Sequence, residues 1–204
     1  MATRILRLSA LAATLVAGSL ALTGCTINLN AAPNGNGMMN GQGMMNDGDA
    51  DSDPNTAFTA NEIMFAQMMI PHHQQAVDMS DLALTRSKNS DVLALAAKIK
   101  AAQAPEIEQM QGWLDATGSH GSHNMNMGMD GMLTHSQMNE LVAAQGTAFD
   151  KLYLTGMIAH HRGAIEMAKM VLGSDNDEAK LLGETITDSQ KNEIIYMEHL
   201  LSKL

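Results

Sequence analysis

Cysteine is almost absent from this chain. Cys25 is the only one in 204 residues, so no internal disulfide can form and no cysteine-based zinc or iron–sulfur site can be built. Aromatic residues are scarce as well: one Trp, two Tyr and three Phe. A core of ordinary size must then be filled by aliphatic side chains and by methionine, of which there are 19 with the initiator. Basic residues are outnumbered, 12 Lys and Arg against 22 Asp and Glu, for a formal net charge of −10. That balance argues against nucleic-acid binding, which needs a basic surface, and suits a domain that weakly concentrates cations. Beyond the leader, no apolar run is long enough for a transmembrane helix. There is no Glu-x-x-His, the pattern that supports di-iron sites in helical bundles, and no Cys-x-x-Cys-His for covalent haem. No nucleophile–base constellation stands out either, so the chain is not expected to be an enzyme.

What is present begins with an export signal. Arg4 and Arg7 precede an apolar stretch from Leu8 to Ala21, followed by Leu22-Thr23-Gly24-Cys25. A basic start, a short apolar run and small residues at a cleavage point make a secretory leader. Its end has the form of a bacterial lipobox. Residues 1–24 are therefore expected to be removed, with a lipid placed on Cys25. The mature protein would sit in the bacterial cell envelope, anchored on the extracytoplasmic side of a membrane, with a side-chain charge of about −12 once Arg4 and Arg7 are lost. In an oxidising compartment a thioether is a safer soft ligand than a thiol, because it forms no disulfides.

Residues 25–56 are rich in Asn, Gly, Asp and Pro, with two Met doublets, and have no periodicity. They are expected to be a flexible tether. From 57 to 204 the pattern is helical. Thr59-Ala60-Asn61-Glu62 is a capping box opening an apolar periodic run to about Thr85. Ser90 is expected to cap a second helix from Asp91 to about Ala116, stopped by Gly118. A Met- and His-rich connector follows at 117–133. Thr134-His135-Ser136-Gln137 is a second capping box and is expected to open one long helix to Leu172, ended by Gly173. A last helix starts near Ser174–Asp177 and runs to the C-terminus.

The most informative feature is an internal repeat. Met69-Ile70-Pro71-His72-His73-Gln74-Gln75-Ala76-Val77-Asp78-Met79 returns 88 residues later as Met157-Ile158-Ala159-His160-His161-Arg162-Gly163-Ala164-Ile165-Glu166-Met167. Downstream, Ile99, Gln103, Glu106, Ile107, Met110 and Leu114 match Ile186, Gln190, Glu193, Ile194, Met197 and Leu201 at an offset of 87. The repeating unit is a helical hairpin. One amphipathic hairpin cannot bury its own apolar face, but two can, which predicts an all-α four-helix bundle.

At ~100° per residue, Met69, His72, Ala76 and Met79 fall on one stripe, with His73 on its shoulder. Met157, His160, Ala164 and Met167 share the stripe in the second copy, with His161 and Met170 on opposite shoulders. Asp78 and Glu166 point to solvent. Met69 reaches His72 and His73 at i+3 and i+4, the spacing at which helical side chains meet. A facing helix can add Met110 or Met197. Two or three imidazole and thioether ligands suit Cu(I), and also Ag(I), better than Zn(II), which generally takes four. Pro71 is expected to kink the helix just before His72. The bland alternative is that Met simply fills an irregular core. In the connector, His120, His123, Met125, Met127 and Met129 occupy a segment too glycine-rich to be core, which fits capture of a soft cation.

These twin motifs, each followed by a second helix, resemble domain-of-unknown-function family 305 over roughly residues 57–203. The resemblance implies a ferritin-like four-helix bundle and kinship with exported, CopM-like proteins that bind copper and silver. It points to His72, His73, Met79, His160, His161 and Met167, with Met69 and Met157 beside them. The expected function is an exported, lipid-anchored protein that sequesters or hands over Cu(I), or Ag(I), in copper homeostasis or tolerance. No organic cofactor is implied. The partners are metal ions and the membrane, with a copper-delivery protein or a second copy of the chain left open. The alternatives are a structural or partner-binding lipoprotein without metal, a haem-binding bundle with Met/His axial ligands, and a metal-dependent oxidase.

Overall fold

The computed structural model describes residues 58–119 and 130–204. The leader, Cys25, the tether and the central connector residues His120, His123, Met125, Met127 and Met129 lie outside the described residues. Five helices form, and no strand occurs among the described residues: α1 (Ala60–Arg86), α2 (Ser90–Thr117), α3 (His135–Ala143), α4 (Gly146–Ala168) and α5 (Asp177–Leu201). The fold is an all-α bundle. Hairpins α1–α2 and α4–α5 pack through α1 against α4, whereas α2 and α5 touch little.

Local chemistry accounts for most boundaries. Thr59 and Glu62 cap α1 reciprocally, and Thr134 and Gln137 do the same for α3, which satisfies backbone donors that a helix start leaves open. Gly118 takes φ 66° and closes α2, a left-handed conformation that glycine adopts without penalty. Asn89, rather than Ser90, caps α2, accepting from the amides of Asp91 and Val92. Pro71 lies exposed within α1, and the helix continues on both sides of it.

The single helix expected from Thr134 to Leu172 is instead two. The chain breaks at Ala144–Gln145, and Gly146 starts α4 with φ 56°. No side chain caps the start of α4, and Leu141 and Phe149 are buried on either side of the break. Apolar periodicity therefore runs through a turn that carries no cap. The far end also falls short: α4 stops at Ala168, and the amides of Met170 and Val171 bond three residues back in a tighter turn. Met170 thus lies beyond the helix, partly buried against the core.

The interior has two apolar clusters. One joins Met79, Ile99, Phe149, Tyr153, Leu154, Met157 and Met197 with their neighbours. The other joins Phe65, Met69, Met110, Trp113, Met167 and Ile186 with theirs. Each holds three of the repeated methionines, and the repeat exchanges the two sets: Met79, Met157 and Met197 correspond to Met167, Met69 and Met110. With so few aromatic rings, methionine supplies much of the bulk, as its flexible side chain allows.

Past the connector, the chain straps across α1 and α4. Gln75 donates to the Leu133 carbonyl at 3.0 Å and accepts from the Leu133 amide at 2.7 Å. The backbone of Asp130–Gly131 lies directly on α4 at Ala159 and Gly163. A Cβ at Gly163 would overlap the Asp130 carbonyl, whereas one at Gly112, on the exposed side of α2, meets nothing within 4 Å. Gly163→Ala should therefore destabilise the fold by roughly 1–3 kcal/mol through overpacking. Gly112→Ala should stabilise it by about 0.5–1 kcal/mol through helix propensity. Urea unfolding of the two variants measures both; equal effects would contradict the strap's close packing.

Candidate metal centre

Between the two apolar clusters every long helix carries a polar step: His72 and His73 on α1, Gln103 and Glu106 on α2, His160 and His161 on α4, Gln190 and Glu193 on α5. Together they form a polar layer across the middle of the bundle. All four histidines are fully buried. His73 and His161 were expected on the shoulders of their stripes. They are dry because α1 packs against both α2 and α4, and α4 against both α5 and α1, so each central helix buries a wide arc.

The rings meet across the helix interface. His72 and His160 meet with centroids 3.7 Å apart and planes tilted by 38°. The other two histidines are tied outward to carboxylates. His73 donates from Nε2 to Glu106 Oε2 at 2.7 Å, and His161 donates from Nε2 to Glu193 Oε2 at 2.9 Å. Lys98 adds a longer contact to Glu193 Oε1 at 3.4 Å. His72 donates from Nε2 to the Asp130 carbonyl of the strap at 3.3 Å.

These bonds decide which nitrogen is available. In a neutral imidazole one nitrogen carries the proton and the other a lone pair. A carboxylate or carbonyl on Nε2 therefore leaves the lone pair on Nδ1. Nδ1 of His72, His73 and His161 has no partner, and neither ring nitrogen of His160 makes a well-formed hydrogen bond. Both amide atoms of Gln103 and the amide oxygen of Gln190 are likewise unpartnered and buried. Buried polar atoms are normally paired; here imidazole lone pairs and two glutamine amide oxygens are left open, beside the unpartnered Gln103 Nε2 donor. Histidine with an outer carboxylate is the usual arrangement of a metal ligand and its orienting group. The His–Glu pairing escaped sequence reasoning, although the matched Glu106 and Glu193 were its visible trace.

Burial sets the charge state. It pushes His72 down to about 3 from 6.5, with the neighbouring His73 adding to the effect. It pushes His160 well below the ordinary range, helped by the charges of His72 and His161. His161 is lowered by burial against the opposing pull of Glu193. Burial raises Glu193, but His161 and Lys98 outweigh it and hold the carboxyl below its usual value. His72, His160 and His161 are thus held as neutral imidazoles, with lone pairs available at neutral pH.

Met69, Met79, Met110, Met157 and Met197 are fully buried and Met167 nearly so. They lie in the apolar clusters on either side of the histidines rather than within the polar layer. Among the described residues no three His, Cys, Asp or Glu side chains converge as a ready-made cage. Across the two halves of the repeat, it is His72 and His160 whose imidazoles come into contact.

The chain matches the family model described as "Domain of unknown function (DUF305)" over residues 62–201. No functionally curated protein is similar enough to match it. Among solved structures, a DUF305 protein of Streptomyces coelicolor assigned as secreted is 34% identical, with 70% of this chain and 93% of that one covered and a TM-score of 0.65. A DUF305 fragment from Deinococcus radiodurans is 30% identical over 72% of this chain and 98% of its own, with a TM-score of 0.65. CopM in its Cu(I)-bound form is 28% identical over 72% of this chain and 97% of its own, with a TM-score of 0.60. CopM has also been solved with Cu(II) and with silver bound.

The depressed histidines make the apo fold acid-sensitive. The unfolded chain takes up a proton at His72 near 6.5, whereas the folded chain refuses it until about 3. Stability is therefore full above pH 6.5 and declines as pH falls towards 3. From pH 7.5 to pH 5, His72 alone should cost roughly 2 kcal/mol, and His160 and His161 act in the same direction. Urea midpoints of metal-free protein across that range test this; a flat profile would show that the imidazoles are not held neutral.

Proposed function

Since the chain belongs to the DUF305 family, we propose that it is an exported, lipid-anchored protein that binds soft metal ions, Cu(I) first and Ag(I) second, in copper homeostasis or tolerance. One observation carries this reading: four dry imidazoles in a single layer, each with an unpartnered Nδ1. The metal is cargo, and the protein is a binder rather than an enzyme. A soft monovalent ion is satisfied by two or three N and S donors. His72 and His160, already in ring contact, offer two nitrogens from opposite halves of the repeat. The carboxylates of Glu106 and Glu193 fix the orientation of His73 and His161. Thioethers of the flanking methionines, one helical turn away on α1 and α4, stand next in reach along the helices.

Related chemistry supports the choice of metal. CopM is described with Cu(I), Cu(II) and silver, a set that a mixed imidazole and thioether environment accommodates. The export signal ending at Cys25 and the secreted relative from Streptomyces coelicolor support an extracytoplasmic location. Among the described residues no helix is long and apolar enough to cross a membrane, so the lipid on Cys25 would be the anchor.

Anaerobic competition for Cu(I) against a chromogenic chelator tests the reading. The mature chain should take up Cu(I), and the double variant His72→Ala/His160→Ala should bind at least about 100-fold more weakly while circular dichroism stays helical. Glu106→Gln and Glu193→Gln should each weaken binding by about 10–100-fold, the usual effect of removing a histidine's orienting carboxylate. Uptake unchanged by all these substitutions would favour the anchored scaffold without a metal in its histidine layer.

A further inference from the structure

The two halves of the bundle are near-copies, but their approaches to the polar layer are not. Two clefts open between α2 and α5, where those helices touch little. One, of about 340 Å³, is lined by Ala94, Leu95, Lys98, Asn192, Glu193 and Tyr196. Exchanging the halves by the 87-residue offset turns these six positions into Leu181, Leu182, Thr185, Pro105, Glu106 and Gln109. All six line the other cleft, of about 410 Å³. The clefts are therefore images of each other, and each has at its wall the carboxylate that holds a buried histidine.

The charge at the mouth differs. In the first cleft Lys98 stands against Glu193 at 3.4 Å. Its counterpart in the second is Thr185, which is exposed and uncharged. No lysine, arginine or histidine lines the second cleft; it adds Glu178 and Ser189 instead. Glu178 accepts from Gln109 at 3.0 Å and from Trp113 at 2.9 Å, both at one oxygen. Behind the cleft wall, Glu106 leads to His73 with its bare Nδ1 and, one turn back on α2, to Gln103, which is 2% exposed with neither amide atom partnered. On the opposite side of the layer, the Asp130–Leu133 strap lies across α1 and α4.

We propose that the Glu106 cleft is the port by which a soft monovalent cation reaches the histidine layer, and that Lys98 closes the equivalent cleft at Glu193 to cations. This rests on the metal-binding reading above and adds the route and the residues that select it. A cleft lined by carboxylates concentrates cations and accelerates their arrival, by about 10–1,000-fold where the field is well focused. A lysine in the same place removes that advantage. Glu106 receives the ion at the wall, and His73, hydrogen-bonded to it and with its Nδ1 unpartnered, is the next donor inward.

Stopped-flow mixing of the full mature chain with Ag(I) nitrate in chloride-free buffer at low ionic strength tests the route, with Trp113 fluorescence as the signal. Thr185→Lys should slow loading about tenfold, and the slowing should shrink as salt screens the added charge. The uncharged Thr185→Gln, similar in length to lysine and carrying no soft donor, should load at close to the wild-type rate. Lys98→Thr combined with Thr185→Lys should restore fast loading through the other cleft. Silver stoichiometry at equilibrium should be the same in all four proteins. Wild-type loading rates in Thr185→Lys, equal slowing by Thr185→Gln, or no rescue in the double variant would each overturn the port while leaving the metal site standing. A wild-type chain that takes up no silver would instead remove the metal-binding reading, and the port with it.

Discussion

A slab of imidazoles sealed between two greasy layers is the constraint around which this bundle is organised. Each unpartnered buried polar group costs roughly 1–3 kcal/mol, against a net stability of about 5–15 kcal/mol for an ordinary domain. Five ring nitrogens here lack a partner. An arrangement so expensive persists only where the surrounding structure enforces it. The enforcement is visible: an apolar cluster on each side, carboxylates gripping two rings from α2 and α5, and a backbone strap gripping a third. Binding an electron-pair acceptor at those nitrogens would relieve the cost, so stability and ligand binding are linked through the same atoms.

Duplication explains how such a layer arises. One hairpin supplies two histidines and one carboxylate at mid-height, with a methionine above and below. Pairing it with its own copy through α1 and α4 places like steps opposite each other, so His72 necessarily meets His160. The same operation sorts six methionines into two sets of three. Thioethers suit both of the demands placed on them. They fill space that scarce aromatic rings leave open, and they remain soft donors next to nitrogen donors. Packing and chemistry are therefore not rival accounts of these residues; a buried methionine beside the polar layer serves the first and remains available for the second.

How far this could be read from the chain depended on the range of the interactions involved. Capping boxes at Thr59 and Thr134 and the stop at Gly118 are local, and the structure has them where the residues indicated. The all-α bundle followed from the repeat, because matched apolar faces must find each other. The break before Gly146 was invisible: Leu141 and Phe149 continue the apolar pattern and Gln145 gives no cap. Asn89 and Ser90 are both competent caps, and it is the Asn89 side chain that accepts from the amides of Asp91 and Val92. At the centre, both histidine pairs were legible as motifs. Their partners were not, since His73 meets Glu106 and His161 meets Glu193 across 33 and 32 residues. A helical wheel shows one face of one helix, whereas a central helix in a bundle has two neighbours, and that second neighbour brings the carboxylate.

Symmetry also sharpens what a single difference can mean. In a chain without repeats, a lysine beside a glutamate is an ordinary surface pair worth little to stability. Here the same position in the other half is Thr185, so the pair at Lys98 has a built-in control. The six matched lining positions share backbone placement and the buried His–Glu contact behind them. The formal charge of the lining therefore separates two otherwise equivalent approaches, and on the proposed route it would act on a cation while the cation is still at the mouth. Divergence at the rim with retention at the centre is what would be expected if both halves are needed to hold an ion but one approach is enough to admit it.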